Sequence, residues 1–173
     1  MPHATDPQAP AGAIHWLFVA FTFALAVNTG AALLASTVIF PVWSASPEAA
    51  RSWTGEVNEA AFFMRVSPIV LILAVVSLLM SRRASAASKI WIRVSAGLYL
   101  LFFAATLAYF VPGQEALHGA GGASITPAEL NTRLQTWVAL NWVRQAVGVL
   151  ALGAALHALS MSHGNTSSSP GTG

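Results

Sequence analysis

The chain has no cysteine among its 173 residues. Disulfides, iron–sulfur clusters and thiol chemistry are therefore excluded. Charge is almost as scarce, at 8% of residues, where a soluble domain needs about a quarter to cover its water-facing surface. The isoelectric point near 9.7 rests on a net charge of only +2, so no nucleic-acid partner is expected. Metal-binding patterns are missing too. There is no Glu-x-x-His pair of the ferritin-like di-iron type. His15 and His157 both fall near helix ends, and a polar helix-end role fits them better than haem or copper ligation. No metal, haem or other cofactor is expected.

What fills the chain instead is hydrophobic residues, 55% of the total, with a mean hydropathy of +0.64. They gather in four blocks, about 14–40, 60–80, 90–111 and 134–161. Each meets the roughly 20 residues that a helix needs to cross a ~30 Å hydrocarbon layer. A transmembrane barrel would show short alternating segments instead. The sequence thus predicts an all-α, four-transmembrane-helix bundle with up-down-up-down topology. Its membrane domain spans 14–161, with helices at about 14–40, 58–81, 89–111 and 131–161. The tails 1–13 and 162–173, rich in Pro/Ala and Ser/Gly, are expected to be disordered. The first block is not expected to be a cleaved signal peptide, because no Lys or Arg precedes it.

Arg82, Arg83, Lys89 and Arg93 cluster between the second and third blocks. The positive-inside rule places that loop, and with it both termini, in the cytoplasm. The expected location is the inner (plasma) membrane of a bacterium.

Arg144 is the sharpest feature. It lies ten residues into the fourth block, roughly 15 Å from its outer end. An arginine there costs about 2.5–3.5 kcal/mol on insertion scales, so it must face the bundle. Two roles are open: a clamp on backbone carbonyls, or a site for an anionic ligand or a developing negative charge. Arg133, Trp137, Asn141, Arg144 and Gly148 recur at spacings of three and four, which puts them on one face. That face reads as the wall of a polar and aromatic cavity opening outward. Asn58 and Arg65 share a face of the second helix, ahead of Pro68, which frees the carbonyl of Met64. Snorkelling to the headgroups is an equal explanation of Arg65. A short echo links Ser36-Thr37-Val38-Ile39-Phe40-Pro41 to Thr106-Leu107-Ala108-Tyr109-Phe110-Val111-Pro112, as a two-helix duplication would.

The pattern Trp137-x-x-x-Asn141-x-x-Arg144 resembles the signature of the anthrone-oxygenase-like family of four-helix membrane proteins. Phe40-Pro41 and Thr106-x-x-x-Phe110-x-Pro112-x-Gln114-x-x-Leu117 agree with it. The likeness runs from about Asn28 to Leu156, with Gln114 where asparagine is more usual. It implies oxidation of anthrones to anthraquinones by molecular oxygen, without metal or flavin. Arg144 and Asn141 would then stabilise an enolate and Trp137 would stack on its ring, making these three the catalytic candidates. Arg65, Asn58, Gln114 and His118 are the substrate-binding candidates, and Glu59, Glu115 and His118 the candidate bases by location. Besides membrane lipids, the implied partners are a planar aromatic molecule and oxygen. Two other readings stand beside this one: a bundle that binds or transports small molecules or anions, and a structural subunit whose arginines only lock helices together.

Overall fold

The computed structural model describes residues 11–45, 59–113 and 126–163. Among these it is wholly helical. Helix α1 is Ala11–Leu34, α2 is Glu59–Met80, α3 is Ala86–Ala105 and α4 is Pro127–His163. Helix α1 runs on through a π-helical segment, Ala35–Ile39, into a short α-helical end, Phe40–Ala45. Helix α3 likewise runs on through a π-helical segment, Thr106–Phe110. Among the described residues, four stretches are long and apolar enough to cross a membrane: Gly12–Val42, Ala61–Arg83, Ala86–Gly113 and Pro127–Ser162.

Local chemistry explains where the helices start. Ser85 caps α3 by accepting a hydrogen bond from the Ser88 amide at 3.3 Å. Thr126 caps α4, accepting from the Glu129 amide at 3.3 Å. Pro127 and Glu129 suit the first turn, where no intrahelical donor is lost and negative charge meets the helix dipole. Between α2 and α3, a 3₁₀ turn at Ser81–Arg83 closes the connection, and Arg93 Nε donates to Ser81 Oγ at 3.2 Å.

The helices form a ring in which α1 packs on α2 and α4, and α3 packs on the same two. We call the end at which α1 and α3 finish the upper end. Two apolar cores fill the ring. The lower one centres on Phe21, Leu25, Val70, Ala96, Tyr99 and Ala155. The upper one gathers Phe40, Phe110, Leu130, Leu134 and Trp137. Small residues let helices approach, as packing in lipid requires. At Gly148, an added Cβ would already touch the Phe102 ring at 3.5 Å and Thr29 at 3.8 Å.

The echo between α1 and α3 has a structural counterpart. Both copies form π-helical segments, closed by i→i+5 bonds from the Phe40 amide to Ala35 O and from the Val111 amide to Thr106 O. In each, a hydroxyl takes the carbonyl four residues back: Ser36 Oγ donates to Ala32 O and Thr106 Oγ1 to Phe102 O, both at 2.8 Å. A proline follows within two residues of each phenylalanine and removes a further donor. The backbone bonding is re-registered within one residue of the same place in both helices. Such bulges tend to mark functional sites.

Candidate functional site

A polar layer separates the two cores, and both π-helical segments feed it. Asn141, fully buried on α4, donates through Nδ2 to Ser36 Oγ at 2.7 Å. Its Oδ1 accepts from Arg144 Nη2 at 2.5 Å and from Gln145 Nε2 at 3.4 Å. Arg144 Nη1 donates to Thr106 Oγ1 at 3.2 Å. Ser36 and Thr106, which match in the sequence echo, therefore hold the neighbouring Asn141 and Arg144. The matching phenylalanines of the echo converge as well. Phe40 and Phe110 both meet Trp137 edge-on, with ring centroids 4.8 and 5.6 Å away. The Trp137 indole N–H donates to Phe110 O at 3.3 Å.

Arg144 is a buried-side cation with incomplete satisfaction. Its guanidinium carbon lies 4.2 Å from the Phe110 ring centroid and 5.2 Å from that of Phe102. Such cation–π contacts contribute about 0.5–2 kcal/mol each when desolvated. Yet among the described residues only two of its five N–H donors find partners, and the buried Nε finds none. Among the described residues the one ion pair joins Arg133 to Glu129 at 2.7 Å on the surface, so Arg144 meets no carboxylate there.

A cavity of about 360 Å³ opens beside this cation, within the usual range for small-molecule pockets. Its walls are mainly aromatic and aliphatic: Phe40, Phe63, Phe102, Phe103, Phe110 and Trp137 supply rings, and among the described residues Arg144 is its one charged lining residue. Ser67 and Thr106 add hydroxyls. Below, Ser67 Oγ donates to Asn28 Oδ1 and Tyr99 OH to Ser67 O, both at 3.0 Å, which fixes α2 against α1 and α3. The arrangement suits a flat apolar body carrying one anionic or hydrogen-bonding oxygen.

The structure brings Trp137, Asn141 and Arg144 together as their spacing implied. Arg133, on the same sequence stripe, is exposed instead. At about 100° per residue, the buried Leu130, Trp137, Asn141 and Gly148 share one meridian, and Arg133 and Arg144 lie on its edge. Arg144 is covered by α3 at that edge, whereas Arg133 lies nearer the helix start. Arg144 also sits higher than a count along its own apolar block gives. It is level with Thr106, seven residues before Gly113, about 10 Å from that end of the α3 span. Arg65 is exposed and outside the cavity lining. His15 and His157 each contact a tryptophan, Trp16 and Trp91 respectively. Asn58, Gln114 and His118 lie outside the described residues. Sequence reasoning missed Ser36, Thr106 and Gln145. The first two stood at matching places in the echo, and Gln145 follows Asn141 by one turn.

Comparison with known proteins bears on the same residues. The family model described as anthrone oxygenase matches residues 57–156, which include α2, α3 and the Trp137–Arg144 stretch of α4. No curated protein and no solved structure shows detectable similarity to the chain.

Proposed function

Because the chain belongs to the anthrone oxygenase family, we propose that it oxidises anthrones or related planar phenols with molecular oxygen, without a bound cofactor, inside the cavity beside Arg144. One observation carries the reading: an aromatic-walled cavity whose single charged lining residue is an arginine with no carboxylate partner among the described residues.

The chemistry asks little of the protein. Removal of a proton from the methylene carbon of an anthrone leaves an aromatic enolate, with the negative charge on oxygen. Arg144 stabilises that oxygen electrostatically, in a site where water is sparse. The enolate passes one electron to O2, and the resulting radicals combine at the former methylene carbon as a hydroperoxide. Loss of water, taking the second methylene hydrogen, leaves the new carbonyl. Anthrone and O2 thus give anthraquinone and H2O. Asn141, anchored by Ser36, holds the guanidinium at one edge, and Trp137 forms an end wall. The base is sought among Glu59, Glu115 and His118, whose side chains fall outside the described set.

Binding of a planar anion without turnover is the second reading. It is favoured by the absence of any carboxylate or histidine from the cavity lining among the described residues. Purified protein supplied with an anthrone separates the two, with quinone absorbance followed above a protein-free control. Turnover in wild type and its collapse in Arg144→Met support the oxygenase. Saturable binding without quinone formation supports the binding protein instead.

A further inference from the structure

We propose that the ligand reaches Arg144 sideways from the lipid, through a mouth between α2 and α3. This rests on the reading that the cavity takes a planar, largely apolar phenolic molecule, and it adds where that molecule comes from: the bilayer, not the water above it. Among the described residues, four side chains line the cavity and are at the same time exposed: Met64 and Pro68 on α2, Leu107 in the π-helical segment and Val111 just beyond it. Met64 is 76% and Leu107 56% exposed. All four are apolar, and all lie inside stretches long enough to cross a membrane. Their outer surfaces therefore face acyl chains. A mouth meant for water would need polar groups around it, because apolar walls gain nothing from holding a hydration shell.

The local backbone favours passage here. Pro68 sits inside α2 and has no amide hydrogen to bond back to Met64. Met64 is unbranched and adapts its shape readily. On the other side of α3, a second groove of about 260 Å³ also touches Arg144, between Leu101, Tyr109, Leu140 and Val143. The buried Phe102 and Phe110 rings lie against the guanidinium and wall both spaces. The α2–α3 mouth leads into the larger of the two, which Ser67, Thr106 and Trp137 also line. At about 10 Å from the upper end of the α3 span, Arg144 is placed to take the oxygen of a molecule whose apolar body lies among the chains.

The absence of native cysteine makes a reversible block available. Leu107→Cys and Val143→Cys are reconstituted in lipid nanodiscs and labelled with a benzyl methanethiosulfonate. Binding of 1,8-dihydroxyanthraquinone is followed through quenching of tryptophan fluorescence. Labelled Leu107→Cys should bind at least tenfold more slowly than the same protein unlabelled, and reductant should restore the rate. Labelled Val143→Cys should match its unlabelled form. Unchanged binding at labelled Leu107→Cys, or a block at Val143→Cys alone, overturns the α2–α3 route while leaving the cavity's occupant in place. A wild type that does not bind the dye overturns the occupant, and with it the route.

Discussion

Replacing Asn141 by Asp separates a structural Arg144 from a ligand-binding one more sharply than removing the arginine. The carbonyl oxygen that accepts from Arg144 at 2.5 Å becomes a carboxylate oxygen in the same place, and the side chain keeps its volume. Ser36, which now accepts from Asn141 and donates to Ala32 O, can turn its hydroxyl toward the new carboxylate. The pair then has opposite charges about 4 Å apart, which at an effective dielectric of about 20 is a ~4 kcal/mol attraction. Desolvation of the carboxylate offsets part of that. Thermal unfolding in detergent should show Asn141→Asp as stable as wild type or more so. An anionic ligand, however, must now compete with a built-in carboxylate for the same guanidinium. If half the Coulomb term survives, about 2 kcal/mol, affinity for 1,8-dihydroxyanthraquinone falls roughly 30-fold, and turnover falls at least as far. Fluorescence titration measures the first and quinone formation the second. A stable Asn141→Asp protein that binds within threefold of wild type would refute the claim that Arg144 serves the ligand.

Other consequences are simpler. Thr106→Val removes the acceptor of Arg144 Nη1 and keeps the side-chain shape. It should cost about 0.6–1.7 kcal/mol of stability, the range for polar contacts between membrane helices, and lower kcat more than it raises KM. Gly113→Ala places a Cβ 2.9 Å from Trp137 Cδ1. Because the indole is boxed in by Phe40 and Phe110, we expect a loss of about 1–3 kcal/mol, read as a lower melting temperature. Reporter fusions at Gly173 and near Gly121 should report opposite sides of the membrane, with Gly173 cytoplasmic, since the basic residues cluster between α2 and α3.

Much of this was legible in the residues, for physical reasons. Four apolar blocks in a chain almost without charge leave no other architecture, and an arginine inside such a block has to face protein. Helical spacing then tied Asn141 and Trp137 to it. The same spacing misled at Arg133, because periodicity fixes a direction around the helix and not whether a neighbour reaches that far along it. Ser36 was visible only as a faint echo, and Thr106 as that echo and as the first residue of a family pattern, neither of which assigned it a contact. Hydroxyls that bond their own helix are common in apolar segments, and nothing in sequence says which also meet a partner across the bundle. The mouth at Met64 and Leu107 was beyond reading, since it depends on which apolar residues the packing leaves uncovered.

The most direct test of the central claim is the fate of oxygen in a single turnover. Purified protein, freed of metal and flavin, is given an anthrone under ¹⁸O2, and the products are analysed by mass spectrometry. One ¹⁸O atom should appear in the newly formed quinone carbonyl and the other in water, at a rate well above the protein-free reaction and lost in Arg144→Met. A quinone carbonyl without label, or labelled quinone formed as fast by Arg144→Met as by wild type, would contradict it.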